Sequence, residues 1–199
     1  FPASSKEFKT LRFTESKVHD FAWFADKRFH VLKDEVELPN SKRKVTTWAF
    51  FPNRNANLWT SANEYINDAL YYYSLWYGDY PYDNCSAVHA PLSAGGGMEY
   101  PTITVIGNNN TAMALEMVIM HEVGHNWFYG ILGSNERAYA WMDEGINTFS
   151  EMRYFDEKYP DNRLYKMLFE KESPAKMLGL EDYQYNAMHY IDYLLNARR

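Results

Sequence analysis

Two histidines four positions apart, followed at a distance by an acidic pair, constrain this 199-residue chain more than any other feature. They lie in the stretch HEVGHNWFYGILGSNERAYAWMDEG, residues 121–145. Positions i and i+4 of a helix lie one turn apart on the same face, so His121 and His125 direct two imidazoles to one point. From the flank of that face, the carboxylate of Glu122 reaches a water bound to a metal there. The pattern therefore predicts a helix that presents a metal site.

A third ligand is available further along the chain. With 6 His in the chain, HExxH arises by chance about 0.01 times, so two unrelated histidines are the poorer interpretation. A catalytic zinc site takes three protein ligands and keeps a fourth position open. Eighteen residues separate His125 from Glu144, enough for one helix to end, a loop to cross and a second helix to return. We expect Glu144 to be the ligand and Asp143 to serve as the N-cap or the first-turn acid of that second helix, where the helix dipole favours negative charge.

The second helix, predicted from near Asp143 to about Tyr159, carries two further candidates. Thr148 lies four positions and Glu151 seven positions after Glu144, on the same face. Either side chain could hydrogen-bond a ligand histidine and fix its tautomer. For Glu151, a solvated or helix-pairing charge is an equally good interpretation.

Taken together, HExxH, eighteen residues and Glu resemble the gluzincin zinc peptidases, and within them the aminopeptidase N family. MDEG at 142–145 is similar to that family's NEG around the third ligand. The resemblance implies one zinc ion per chain, held by His121, His125 and Glu144. It also implies that Glu122 is the general base for a zinc-activated water, which attacks a peptide bond.

A second motif, GGMEY at residues 96–100, resembles the GxMEN exopeptidase motif of the same family. A carboxylate near the metal can recognise the free α-ammonium of a peptide by a charge-assisted hydrogen bond, which sets cleavage one residue from the end. The resemblance gives this role to Glu99 and places Gly96, Gly97 and Met98 beside the substrate backbone. Tyr100 stands where the family motif usually has Asn, and this departure bears on the shape of the pocket.

The resemblance implies an α+β fold, a thermolysin-like catalytic domain made of a small β-sheet and helices, preceded by the end of an N-terminal β domain. Residues 1–42 are expected to be the closing strands of that β domain, and residues 43–199 the catalytic domain, truncated before the family's C-terminal helical region. Alternation and turn residues predict strands at 10–14, 20–25, 28–38, 44–51, 86–92 and 98–107. Helical patterns predict helices at 60–77, from Thr111 into His121, at 162–172 and toward the end of the chain.

The expected activity is removal of N-terminal residues from peptides with a free amino end. The family's oxyanion-stabilising tyrosine lies several tens of residues beyond the third ligand, which places it past Arg199. Two alternatives stay open. One is a gluzincin of other specificity, an endopeptidase or another amide or epoxide hydrolase, and the other is a fragment that binds metal and peptide without turnover.

Composition excludes several other classes of function. A net charge of −6 and the absence of a long basic run argue against nucleic-acid binding. The sequence contains no continuous run of the roughly 18 to 20 apolar residues that a membrane span needs. The single cysteine, Cys85, excludes an intrachain disulfide and a cysteine-ligated zinc site. Because the first residue is Phe1, an upstream signal or anchor is compatible with the sequence, and the compartment and oligomeric state stay open.

Overall fold

The computed structural model describes residues 10–92 and 96–161 together with Phe8. The helices predicted at 162–172 and toward the end of the chain lie outside the described residues. The predicted α+β fold is confirmed: a five-stranded sheet packs against helices. The elements are β1 Phe29–Glu37, β2 Lys44–Pro52, α1 Ala56–Trp59, α2 Ala62–Tyr77, β3 Asn84–His89, β4 Gly97–Met98, β5 Ile103–Ile106, α3 Ala112–Gly124 and α4 Asn147–Lys158, with a 3₁₀ turn at Asn53–Asn55 and a π-helical turn at Trp141–Ile146.

The sheet has the strand order β1-β2-β3-β5-β4. β2, β3 and β5 run parallel, whereas β1 and β4 pair antiparallel at the two edges. β3 is buried along almost its whole length, as expected for a central parallel strand covered on both faces. Burial of Cys85 in this strand raises the pKa of its thiol to about 12, which fits a structural cysteine.

Two helices position the site. Ile66, Leu70 and Tyr73 of α2 recur at helical spacing and are fully buried, facing the sheet and α3. Leu115 and Ile119 of α3 are likewise buried in the same core. Because α3 also contacts β4 and β5, its C-terminal end comes to lie beside the edge strand β4.

A partly buried ion network ties α4 to the other two helices. Lys158 Nζ lies 2.6 Å from Asp68 Oδ2 of α2 and 2.8 Å from Glu116 Oε1 of α3. The Glu116 carboxylate, almost fully buried, also accepts hydrogen bonds from the hydroxyls of Tyr154 and Tyr159. This network holds the three helices together at the end opposite the turn of α3 that carries His121 and His125.

The strands predicted at 10–14 and 20–25 are wrong. In the part of the chain that the structure describes, neither segment pairs with another strand, and both run irregularly. Phe13, Phe21 and Trp23 are each more than 70% exposed, so their alternation does not mark a buried face. A strand without a neighbour leaves its backbone hydrogen-bonding groups unpaired. The alternating apolar pattern predicted a strand but carries no information on whether a partner strand lies beside it.

Other strand predictions hold with one change. The strands predicted at 28–38 and 44–51 correspond to β1 and β2, and 86–92 overlaps β3. The run predicted at 98–107 is instead a hairpin of β4 and β5, because the chain turns at Pro101 and Thr102, whose φ is +64°. The helix predicted at 60–77 corresponds to α2, although the Ser61 side chain makes no capping hydrogen bond.

β1 pairs with β2 along its full length, from Phe29 opposite Pro52 to Glu37 opposite Lys44. The turn between them is closed by the Leu38 N–H, which donates to the carbonyl of Arg43 at 2.9 Å. The predicted domain boundary at residue 42 falls in this turn, and the division into two domains stays a prediction. None of the described helices is long and apolar enough to span a membrane.

Candidate metal centre

The helix α3 delivers the two histidines. It begins after Thr111, whose hydroxyl oxygen accepts a hydrogen bond from the Ala114 N–H at 3.1 Å, a standard N-cap. It ends at Gly124, so His121 lies in its last turn and His125 at its C-cap. Their Nε2 atoms are 3.1 Å apart, and both rings point to one site.

The third candidate ligand arrives on the π-helical turn that precedes α4. Glu144 Oε2 lies 3.2 Å from His121 Nε2 and 3.9 Å from His125 Nε2. π-helical turns occur often at functional sites, where the wider turn redirects side chains. Asp143 is not the N-cap, because Ala140 occupies that position; it is a buried acidic residue of the first turn, which was the other predicted place for it.

The three side chains fit a zinc ion. Ligand atoms at about 2.0 to 2.1 Å from a tetrahedral zinc ion are about 3.3 Å apart, and the observed 3.1, 3.2 and 3.9 Å bracket that separation. Two unprotonated imidazole nitrogens that face each other this closely repel unless a cation lies between them. The Glu144 side chain is 39% exposed, which leaves one side of the triad open. His121, His125 and Glu144 would therefore hold the metal.

The other ring nitrogens have acceptors that fix the tautomers. His121 Nδ1 lies 3.1 Å from Oε2 of the buried Glu151. His125 Nδ1 hydrogen-bonds the carbonyl of Phe128 at 3.1 Å, and Asp143 Oδ1 is close, at 2.8 Å, but poorly aligned. Protons held on the Nδ1 atoms leave both Nε2 lone pairs for a metal. Thr148, the other candidate, makes no hydrogen bond to either histidine among the described residues.

The carboxylates give the site an affinity for positive charge. Burial lowers the pKa of His121, but hydrogen bonds with Glu144 and Glu151 outweigh burial and raise that pKa well above its usual value. The hydrogen bond with His121 lowers the pKa of Glu144, so this carboxylate is ionised at neutral pH. Protons held this strongly compete with a metal for the same lone pairs, so metal binding releases protons.

Glu122 lies beside this triad with its carboxylate buried. Its Oε2 has no hydrogen-bond partner among the described residues. Burial raises the pKa of Glu122 to about 7, although the nearby His121 and His125 lower it. A buried carboxylate with an open lone pair and a pKa near neutrality can take up and release a proton.

The edge strand β4 brings the GGMEY residues to the same place. A carboxylate oxygen of Glu99 lies within 4.8 Å of a ring nitrogen of His125 and of an oxygen of Asp143. Burial raises the pKa of Glu99, and the charges of Asp143 and Glu144 raise it further, whereas His125 lowers it. Several acidic groups thus share one small region next to the candidate metal ligands.

The three residues before Glu99 lie along the sheet edge. The Met98 carbonyl accepts a hydrogen bond from Thr104 Oγ1 at 2.9 Å, and the Gly96 carbonyl accepts one from the Gly107 N–H at 2.7 Å. A Cβ at Gly97 would overlap the carboxylate of Glu122. The close approach of Glu122 therefore explains why residue 97 is a glycine. The predicted place of Gly96, Gly97 and Met98 beside the substrate backbone stays a prediction.

Sequence reasoning missed two contacts of the site. Asp143 approaches the candidate ligand His125, and Asn147 of α4 donates from Nδ2 to the His121 carbonyl at 2.7 Å. The position of Asn147, three after Glu144, places it near the same helical face, which was the one available signal. Nothing in the sequence indicated that Tyr73 of α2 reaches Asn147.

The chain resembles known peptidases in sequence and in fold. It is 28% identical over 99 residues to Aminopeptidase 2 of Candida albicans, an alignment that covers 44% of this chain and 11% of that protein. A crystal structure of a two-domain M1 zinc metallopeptidase mutant bound to L-arginine superimposes with a TM-score of 0.54 at 20% identity, covering 67% of this chain and 30% of that one. Aminopeptidase A of Legionella pneumophila, in complex with aspartic acid, gives 0.58 at 14% identity, covering 65% and 16%.

These likenesses concern a part of each relative, since the chain spans less than a third of their lengths. At such identities, the superpositions show the fold. The sequence profile of the Peptidase family M1 domain matches residues 61–191, which is more than half of the chain and includes all candidate ligands. The predicted resemblance is thus confirmed, and the chain belongs to peptidase family M1.

Proposed function

We propose that this chain carries the catalytic site of a zinc aminopeptidase, which removes N-terminal residues from peptides. The observation that supports the proposal is the convergence of His121, His125 and Glu144 within 3.9 Å of one another, with Glu122 and Glu99 beside them. Family membership agrees with this assignment.

His121, His125 and Glu144 would hold the zinc ion, which as a Lewis acid makes a water more acidic and polarises a carbonyl oxygen. Glu122 takes the proton of the attacking water on its unpartnered Oε2 and delivers it to the leaving amine. Its pKa of about 7 suits both steps, since a base poised near neutrality gains and loses a proton readily. Glu151 and the Phe128 carbonyl keep the histidine protons on Nδ1 throughout.

Glu99 supplies the preference for a free amino end. The neighbouring Asp143 and Glu144 add negative charge, so an α-ammonium that enters this region is attracted and hydrogen-bonded. A blocked amino end carries no positive charge and leaves the half-buried Glu99 carboxylate without a partner. Selection for the free end follows from that difference.

One observation favours a second candidate. Tyr100 replaces the Asn that usually ends the exopeptidase motif, and a bulky side chain next to Glu99 alters the pocket that receives the peptide end. A gluzincin of other specificity, an endopeptidase or another amide or epoxide hydrolase, is the alternative that this departure supports.

The test uses the full-length protein and compares free-amine peptides with N-acetylated peptides of the same sequence. We expect about one zinc per chain, preferential cleavage of free-amine peptides, and a fall in kcat/KM of about 10-fold to 100-fold for Glu99→Gln, the range for a lost hydrogen bond to a charged group. Glu157→Gln is the matched control, because that carboxylate lies on the exposed face of α4 and should leave kcat/KM unchanged.

Each other result selects a different conclusion. Equal cleavage of blocked and free peptides that Glu99→Gln does not alter overturns the aminopeptidase assignment and leaves the endopeptidase. Stoichiometric zinc without hydrolysis of any peptide indicates a metal- and peptide-binding protein. Failure to bind zinc after reconstitution removes the metal site altogether.

A further inference from the structure

We infer that Asn147 is a positioning residue for the metal site, whose side-chain amide fixes the backbone of the ligand His121 against the helix that follows Glu144. This inference rests on the proposed zinc site. It concerns a residue that contacts no metal ligand side chain and would act through the main chain.

The first observation is the hydrogen bond between the two helices. Asn147, the first residue of α4, is fully buried, and its Nδ2 donates to the His121 carbonyl at 2.7 Å. α3 ends within this turn, and the N–H of His125 is directed to the carbonyl of Val123. The last carbonyls of a helix lack intrahelical partners, so the Asn147 amide satisfies one of them in a dry environment.

The second observation is that the His121 carbonyl, which can only accept, fixes which end of the amide faces α3, while Tyr73 of α2 bonds the other end. The buried Tyr73 hydroxyl donates to Asn147 Oδ1 at 2.9 Å. If the amide were rotated by half a turn, its oxygen would face the His121 carbonyl and two acceptors would be opposed. The Tyr73 hydroxyl thus holds the oxygen end of the amide, and the Asn147 side chain satisfies both neighbours at once.

The third observation is the close approach of the helices at Gly124. A Cβ at Gly124 would overlap both Asn147 Oδ1 and the Tyr73 hydroxyl. The three helices therefore meet at one point without a side chain from α3 between them. Because Glu144 lies three residues before Asn147, the amide fixes the separation of the segments that carry Glu144 and His121, whose ligand atoms are 3.2 Å apart.

The chain contains a matched hydrogen bond that touches no ligand. Tyr77, one turn after Tyr73 on α2, hydrogen-bonds Ser150 Oγ at 2.8 Å, one turn after Asn147 on α4. This pair also joins α2 to α4 below the site, and its loss removes a comparable contact. Variants of the two pairs separate a role in positioning the ligand from a role in stability.

The experiment compares Asn147→Asp, Asn147→Ala and Tyr73→Phe with the controls Ser150→Ala and Tyr77→Phe in the full-length protein. Zinc Kd is measured by competition with a chelator. The geometry of the metal site is followed by the visible absorption spectrum of the cobalt(II)-substituted protein, and the stability of the metal-free protein is measured by denaturant unfolding. We expect the Asn147 variants to raise zinc Kd about 10-fold and to alter the cobalt spectrum, while both controls stay within about 2-fold of wild type. Asn147→Asp, though nearly isosteric, opposes a carboxylate to the His121 carbonyl and should be no better than Asn147→Ala.

Unchanged zinc Kd and cobalt spectra in Asn147 variants that merely unfold more easily would overturn the inference and leave Asn147 as a structural contact. If neither Asn147 variant folds, Tyr73→Phe decides, since it frees the amide without removing it. A wild-type protein that binds no zinc is a different result, because it removes the proposed function together with this inference.

Discussion

Gly97 lies so close to Glu122 that a β-carbon at residue 97 would occupy the space of the Glu122 carboxylate. The two residues belong to the edge strand β4 and to α3, so the backbone of the strand forms one wall around the proposed base. A glycine inside a strand often marks such a close approach. The orientation of Glu122 therefore depends on a residue that has no side chain.

Gly97→Ala should displace the Glu122 carboxylate while leaving the metal ligands in place. We expect kcat to fall about 100-fold, toward the loss typical of a missing general base, with zinc content near that of wild type. Steady-state kinetics and metal analysis of the same preparation measure both quantities. Gly133→Ala is the control, since a β-carbon there meets nothing within 4 Å and should leave kcat unchanged. Wild-type kcat in Gly97→Ala would show that this contact does not orient the base.

Removal of zinc should destabilise the protein, because the ligands come from two helices that the ion would join. A ligand bound to the folded state alone adds about 4 kcal/mol at a free concentration about 1,000-fold above Kd. Denaturant unfolding with and without a chelator measures this difference. Glu144→Gln should reduce this zinc-dependent difference in the free energy of unfolding, whereas Thr148→Ala should preserve it. Among the described residues, Thr148 makes no hydrogen bond to either candidate ligand histidine. A Thr148→Ala loss equal to that of Glu144→Gln would contradict the ligand set.

The local parts of the site could be predicted because they depend on spacing within one helix. His121 and His125 share a helical face by geometry, and Glu144 follows at the distance that the family resemblance implies. The burial of Asp143 beside His125 could not be predicted, because it depends on the π-helical turn that directs this first-turn carboxylate inward. That turn leaves no periodic signal in the sequence.

Contacts between distant segments were also beyond sequence reasoning. The Asn147 amide and the Tyr73 hydroxyl are 74 positions apart, and their meeting depends on how α2 packs against α4. The first strands failed for a related reason, since alternation at 10–14 and 20–25 predicts a face but does not identify a partner strand. Nonlocal packing decides both cases.

Lys158 should stabilise the fold through Asp68 and Glu116 and should do so in a pH-dependent way. Its side chain is 19% exposed, and that of Glu116 is 4% exposed, so Lys158→Met leaves a buried carboxylate uncompensated. We expect a loss of about 2 to 4 kcal/mol in the free energy of unfolding near neutral pH. Lys44→Met, which removes an exposed pair with Glu35, should cost less than about 0.5 kcal/mol.

The pH dependence separates charge from packing in this network. Burial lowers the pKa of Lys158, but hydrogen bonds with Asp68 and Glu116 outweigh burial and raise it above its usual value. A raised folded-state pKa means that the charge contributes fully below the unfolded pKa of about 10.4 and is lost as pH rises above it. The difference between wild type and Lys158→Met should therefore be constant from neutral pH to about pH 9 and shrink above about pH 10. A difference that does not shrink would mean that Lys158 acts by packing its methylene groups, and recovery of stability in Lys158→Met with Glu116→Gln would assign the cost to the buried carboxylate.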